Sequence, residues 1–294
     1  MNHRHRPQKT LRGNFGAVYV AFGTAHLAMA LLSASTLRHF NPNLAIHIIS
    51  NKPREIRKSL TFWNESIDHW SQIEDTAKNN RKYKTGLQSF ICFERAVYLD
   101  ADTLITGDLS LGFRYLDYFD IAARAQKGRQ THTRLANLVL LEDGITTKEL
   151  PQWNGGVVFF RNNSKCANLF RKWQETFFDI GEKFDQPALA KVIIESECRI
   201  LTLDERWNGG FKKLQDDIGG MPLVAHYHSA LDKKIERNLR KIGQSMNKFT
   251  SHDTLPEIEA FIQRCRKIRS KSEPLKRHIR RYYRIWWHHK YSPL

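Results

Sequence analysis

The segment "GNFGAVYVAFGTAHLAMALLSASTLRHFNPNLAIHIISN" constrains the fold more than any other stretch of the chain. Ala17 to Phe22 is a short β-branched and aromatic run, which predicts a buried strand. Gly23-Thr24 breaks that run, and Leu27, Leu31 and Leu37 then recur near helical spacing. "NPN" stops the helix, and Ala45 to Ile49 reads as a second strand. Strand, helix, strand is the unit of a parallel sheet covered on its faces by helices, so the expected class is α/β with a mostly parallel central sheet.

The rest of the chain continues in that style. A helix is expected around Lys84 to Phe93, a strand at Ala96 to Leu99 and another at Gly156 to Phe160. Ser164 to Phe178 predicts a helix with Phe170, Trp173 and Phe177 on one stripe. A further helix follows "DQPALA", a strand covers Leu223 to His228, and Thr254 to Cys265 has capping-box spacing between Thr254 and Glu257. Gln126 to Gln152 lacks periodicity and suits a loop that covers a substrate.

Charge narrows the partners. The net charge of +17 points to something anionic: nucleic acid, a membrane surface or a phosphorylated substrate. Residues 266–294 hold ten Lys/Arg against one acid, so +9 of the +17 is terminal and nucleic-acid binding by the whole chain is not required. Layout is therefore read as one catalytic-size domain over 1–265 and a basic, aromatic tail over 266–294. "KRHIRRYYRIWWHHKY" interleaves cations with Tyr282, Tyr283, Trp286 and Trp287, a pattern that suits contact with an anionic membrane surface. The polar N-terminus lacks the apolar core of a signal peptide, and no apolar run is long enough to span a bilayer. The four cysteines are scattered, without metal or redox spacing. A cytoplasmic protein, peripheral at the inner face of a membrane, is the expectation.

The chemistry concentrates at "RAVYLDADTLITGDLSL". The strand ends in Asp100 and Asp102, separated by the small Ala101, and open α/β sheets bind ligands outside the carboxyl ends of their strands. A D-x-D tripeptide alone arises about once by chance in such a chain, and its plain alternative is a capped turn. Two carboxylates this close repel one another unless they share a cation. Hard divalent ions such as Mg²⁺ or Mn²⁺ take oxygen ligands and share them with phosphates. His226 and His228 in "LVAHYHSALDKK" point to one face of a strand and are the candidate nitrogen ligands.

"AVYLDADTLITGDL" resembles the D-x-D segment of nucleotide-diphospho-sugar transferases of the GT-A fold, in the glycogenin and lipopolysaccharide galactosyltransferase group. "WNGGVVFFRN", "DQPALA" and "LDERWN" are similar to three later motifs of that family and occur in the same order, within roughly Ala17 to Lys234. The resemblance implies a Rossmann-type α/β/α sandwich in which Asp100 and Asp102 hold Mn²⁺ or Mg²⁺ on the donor diphosphate, most simply of a UDP-sugar. It implies that Ala21, Phe22 and Gly23 cradle the nucleoside base. Lys84, sixteen residues before Asp100, takes the place of a basic residue near donor sugar and phosphate. Asn154, Gly155 and Gly156 then shape the sugar edge, Asn208 lies in the later motif, and Asp185 and Gln186 sit over the transferred sugar. The family's third ligand is a histidine. Aligning "HY" selects His226 with Lys233 one position late, while aligning the lysine selects His228 with Lys234.

The activity implied is sugar transfer from a nucleoside diphosphate to a glycan or lipid-linked acceptor hydroxyl, with retention. Inversion would instead need a carboxylate base, for which Asp185 is the candidate. Two rival readings exist. One is a membrane- or nucleic-acid-binding protein with a degenerate transferase domain. The other is a nucleotidyltransferase, whose glycine-rich, lysine-containing signature near the first strand is missing.

Overall fold

Alternation along the central strands sets the architecture. In β1 (Phe15–Val20), β4 (Arg95–Leu99) and β7 (Trp153–Arg161), successive side chains enter two different apolar clusters, one on each face. Tyr19, Val97, Leu99, Val157 and Phe159 face α1 (Thr24–Phe40), which contributes Leu27, Leu31 and Leu37. Val18, Ala96, Tyr98, Val158 and Phe160 face the other layer. A computed structural model of the chain describes residues 14–51, 67–75, 80–125, 144, 151–181, 185–209, 222–226, 233, 235–237, 239–240, 244, 256, 259 and 262–263.

The sheet has the strand order β3-β2-β1-β4-β7-β6-β8, with β2 at Ala45–Ser50, β3 at His69–Gln72, β6 at Ile121–Ala125 and β8 at Ile200–Leu203. Pairing is parallel from β3 through β4 and between β6 and β8, and antiparallel on both sides of β7. β7 is thus the reversed strand of a mostly parallel sheet. The expected α/β/α layering is realised: α4 (Ser164–Asp179) and α5 (Gln186–Ile194) cover the second face with Phe170, Trp173, Phe177, Leu189 and Ile193. The predicted stripe on α4 is buried for the reason the spacing gave.

Several boundaries differ from expectation. The helix expected at Lys84 to Phe93 begins earlier and is two pieces, α2 (Arg81–Thr85) and a 3₁₀ turn (Leu87–Phe90), divided at Gly86. Gly86 fits there because Gln174 reaches across to the Lys82 carbonyl, and a Cβ would stand 2.2 Å from its Nε2. The strand expected to reach His228 is β9 (Val224–His226), beyond which residues 227–232 lie outside the described set. It pairs with β5 (Thr103–Ile105) in a separate two-stranded sheet. α3 (Ser110–Tyr115) packs Phe113 against Phe159. Pro256, Glu259, Ile262 and Gln263 are helical within the helix expected at its C-terminal end, and the remainder of the Thr254–Cys265 expectation lies outside the described residues. So do the tail, the 265/266 boundary and most of the Gln126–Gln152 excursion. Among the described residues no helix is long and apolar enough to cross a membrane.

Asp120, at the start of β6 and 4% exposed, ties three elements together at the end of the sheet where β6 begins. Its carboxylate accepts from the Arg199 backbone N–H and the Asn163 amide, each at 2.9 Å. Asn163 in turn caps α4 by accepting from the Cys166 N–H at 2.9 Å. Burial works against the charged carboxylate, but the Arg199 N–H, the Asn163 amide and the Arg199 guanidinium outweigh it and hold its pKa below the ordinary value. Asp120→Ala should cost about 2 kcal/mol at neutral pH by leaving those donors unpaired. A depressed folded pKa stabilises above the unfolded value of about 3.9 and loses that stabilisation as pH falls through the folded value. Urea denaturation should therefore separate variant from wild type at pH 7 and bring them closer in acid; equal stability at pH 7 would contradict the role.

Candidate metal and donor site

The strand order places the site before any side chain is considered. β1 hydrogen-bonds to β2 on one side and to β4 on the other, so the chain reverses its winding direction between β1 and β4. A crevice opens at the carboxyl ends of strands at such a switch point. Ala21, Phe22 and Gly23 follow β1 there, and Asp100, Ala101 and Asp102 follow β4. Because β7 runs the other way, its first residues, Asn154, Gly155 and Gly156, reach the same end, and Gly156 C=O accepts from the Asp100 N–H at 2.8 Å.

The aspartate turn is fixed from inside. The Thr103 hydroxyl donates to the Asp100 carbonyl at 2.8 Å, so it must accept from Ser33 Oγ at 2.8 Å, which accepts from Tyr19 O–H at 3.0 Å. That buried relay locks β1, α1 and the turn together. Ala101 is buried in the core, so only a small residue fits between the two carboxylates, which remain partly exposed.

His226 arrives from 124 residues further along the chain. The β5–β9 pairing sets Thr103 opposite His226, which brings the imidazole next to Asp102. Nε2 lies 3.0 Å from Asp102 Oδ1 and 3.8 Å from Asp100 Oδ2. One potential ligand atom from each of Asp100, Asp102 and His226 falls within 4.8 Å of the others. Two carboxylate oxygens and one imidazole nitrogen are a ligand set that suits a divalent cation such as Mn²⁺ or Mg²⁺. The other side of the imidazole meets Asn208 Oδ1 at 2.9 Å, and Asn208 Nδ2 meets Asn154 Oδ1 at 2.9 Å.

Lys84 sits behind the aspartates, buried in the last turn of α2. Its ammonium donates to Asp100 Oδ1 at 3.2 Å, pairs with Asp185 Oδ2 at 2.8 Å and lies 5.2 Å from the centre of the Tyr98 ring. Burial opposes its charge, yet Asp100 and Asp185 outweigh that and raise its pKa. Asp185 shows the converse: burial opposes its charge, and Lys84, then Arg81 at 3.6 Å, bring its pKa below the ordinary value. Tyr98 donates to Asp100 Oδ1 at 2.7 Å, and its burial beside that carboxylate pushes its own pKa well up.

The other expected positions sort as follows. Phe22 is buried with its ring 4.8 Å from that of Tyr83, next to Lys84. Gly23 takes φ 77° before α1 and donates its N–H to Asn51 Oδ1 at 3.0 Å, a left-handed conformation that glycine adopts without strain. Gln186 opens α5 beside Asp185. Lys233 is helical and exposed, whereas His228 and Lys234 lie outside the described residues. Sequence reasoning passed over Tyr98, although alternation in "AVYLD" sets it two residues from Asp100 on the same side of the strand. It also passed over the Ser33–Thr103 link, for which no sequence signal exists.

Gly156 carries a sharp expectation. A Cβ there would stand 2.4 Å from His226 Cε1 and 2.8 Å from Asp100 Oδ2, between two potential ligands. Gly156→Ala should weaken Mn²⁺ binding by roughly tenfold or more while circular dichroism stays that of a folded chain. Wild-type affinity in calorimetry would show that the three groups do not act on one ion.

Compared by sequence, the chain matches no protein-family model and no curated protein. Compared by structure, it is similar to solved glycosyltransferases. GlyE of Streptococcus pneumoniae TIGR4 aligns with a TM-score of 0.52 at 16% identity, over 89% of this chain and 64% of GlyE, so the chain spans less than two thirds of that protein. Galactosyltransferase LgtC, solved with donor and acceptor sugar analogs, gives 0.52 at 14% identity over 81% of this chain and 98% of LgtC. Mouse xyloside xylosyltransferase 1 gives 0.51 at 14% identity over 73% and 97% of the respective chains. With its reversed β7 in a mostly parallel sheet and an Asp-x-Asp turn at the switch point, the chain has the fold of the GT-A nucleotide-sugar glycosyltransferases.

Proposed function

We propose that this chain is a metal-dependent glycosyltransferase that moves a sugar from a nucleoside diphosphate, a UDP-sugar, to an acceptor hydroxyl with retention. The observation that carries the reading is the convergence of Asp100, Asp102 and His226 at the carboxyl ends of the central strands. The similar solved proteins support the reaction class: one is a galactosyltransferase described with donor and acceptor sugar analogs, another a xylosyltransferase.

In this reading Asp100, Asp102 and His226 hold Mn²⁺ or Mg²⁺. The bound ion would offset charge that gathers on the departing diphosphate. Ala21, Phe22 and Gly23 flank the nucleoside base, and Gly155 and Gly156 let backbone approach the donor. Lys84 orients Asp100 through its contact with Oδ1. Lys233 and Lys234 serve the diphosphate, and Asp185 with Gln186 faces the transferred sugar. Retention is favoured by the state of Asp185: paired with Lys84 and depressed in pKa, it is a weak proton acceptor. An acceptor that attacks on the leaving-group face needs no such base.

The acceptor is a glycan or a lipid-linked sugar, and the tail, 266–294, holds the enzyme against an anionic membrane surface at its inner face. The ten cations of that tail supply the attraction. Removing 266–294 should abolish sedimentation with anionic liposomes and leave Mn²⁺-dependent donor hydrolysis intact. Persistent liposome binding would sink the anchoring role.

A panel of sugar nucleotides, titrated with and without Mn²⁺, tests the main reading. One or more should bind in a metal-dependent way and be hydrolysed slowly. Asp100→Asn and Asp102→Asn should each remove that dependence with the fold retained. Turnover unchanged in either variant would remove the metal from the mechanism.

A further inference from the structure

The cysteines are scattered along the chain, but the fold brings two of them together at the end of the sheet opposite the metal cluster. Asp120 leads into β6 and lies beside the last residue of β7, Arg161, whose N–H donates to the Asp120 carbonyl at 2.9 Å. The same carbonyl accepts from Cys166 Sγ at 3.4 Å, in the first turn of α4. Asp120 also holds Arg199 twice. Its N–H donates to the Arg199 carbonyl at 2.8 Å, and its carboxylate accepts from the Arg199 N–H at 2.9 Å. Cys198 is the residue before Arg199, and one step further back the Glu197 carbonyl accepts from Lys165 Nζ at 3.4 Å. Consecutive residues therefore match across the two segments, Lys165 with Glu197 and Cys166 with Cys198. Both sulfur side chains enter the same apolar cluster.

We propose that Cys166 and Cys198 are a redox-responsive thiol pair that hydrogen peroxide converts to a disulfide, stapling the first turn of α4 to the segment that enters β8. Nothing in the pair depends on sugar transfer. Both thiols are free in the reduced chain, and they divide the work. Cys166 is fully buried, and contact with Cys198 together with burial pushes its thiol up, so it stays protonated. The Cys166 S–H favours the Cys198 thiolate; burial opposes it, the Ser196 hydroxyl and Lys165 ammonium assist, and the net effect lowers the Cys198 pKa. Cys198 is 9% exposed between two exposed residues, Glu197 and Arg199, which leaves its sulfur the one a small oxidant meets first. In the first step the Cys198 thiolate attacks a peroxide oxygen. S–O forms, O–O breaks, and the departing hydroxide takes up the proton that Cys198 had released. In the second step Cys166 gives up its proton and its sulfur attacks the sulfur of the Cys198 sulfenic acid. S–S forms, S–O breaks, and the hydroxide leaves with that proton as water. The two thiols lose two electrons, and one peroxide becomes two waters. The loop closed by the bridge, 166–198, holds most of α4 and all of α5, so the bridge restricts the unfolded chain more than the folded one.

The full chain, treated with hydrogen peroxide at neutral pH in the presence of a chelator, tests the pair. Digestion without reduction, followed by mass spectrometry, should recover a peptide that links Cys166 to Cys198, and dithiothreitol should release it. The same treatment in concentrated urea, where the fold no longer holds the thiols together, should give little or none of that link. Urea denaturation of the oxidised chain should show a midpoint higher by about 1 M, which dithiothreitol reverses. Cys198→Ser should abolish both the link and the shift, and Cys92→Ser, at an exposed position, should change neither. Were Cys198→Ser to misfold, the peptide map of the wild-type chain still decides. Cys198 recovered as a sulfinic acid beside a free Cys166 overturns the proposal, as does a link made through Cys92 instead. An oxidised chain that carries the Cys166–Cys198 link but unfolds at lower urea overturns the staple.

Discussion

Three carboxylates crowd one end of this sheet, and their mutual repulsion is the constraint that the surrounding structure answers. Among the described residues, Lys84 pairs with Asp100 and Asp185, and Arg81 with Asp185. At about 4 Å, two like charges in a protein-like dielectric of about 20 repel by about 4 kcal/mol. Lys84 lies between Asp100 and Asp185 and satisfies both, with Tyr98 adding a neutral donor to Asp100. Among the described residues, the acidic groups of this cluster not met by Lys84 and Arg81 lie where Asp100 and Asp102 meet the imidazole of His226. In the proposed reading a divalent cation would offset the repulsion between these two carboxylates.

Holding the charges there is a task for the core. A relay of hydroxyls from Tyr19 through Ser33 and Thr103 grips the aspartate turn from below. The reversed β7 delivers two glycines and Asn154 to the strand ends, and the short β5–β9 pairing delivers His226. Each group comes from a different part of the chain. Close-packed strands with few alternative registers, buried on both faces, let them meet within hydrogen-bonding distance.

Local patterns in the sequence were enough to place the aspartates. The apolar run into "DAD", the strand–helix–strand opening and the α4 stripe are contiguous signals, and each element appears where its spacing predicts. Short strands were not legible. β3 is "HWSQ", β6 is the alanine-rich "IAARA" and β5 has three residues inside a stretch that reads as a turn. β5 mattered most, because its register with β9 pairs Thr103 with His226. Spacing along the chain left both His226 and His228 as candidates, since both share one face of a strand. The register brings His226 to the aspartates, and His228 lies outside the described residues. Asn154 and Asn208 were visible as motif members, but the bond between them spans 54 residues and has no local signature.

The central claim is that one cation is held by two aspartates and the nitrogen of His226. Electron spin-echo envelope modulation of the Mn²⁺-loaded chain detects a directly bound imidazole nitrogen. The account predicts coupling to one such nitrogen, lost in His226→Ala and kept in His228→Ala. Coupling that survives His226→Ala, or no nitrogen coupling in the wild type, would contradict it.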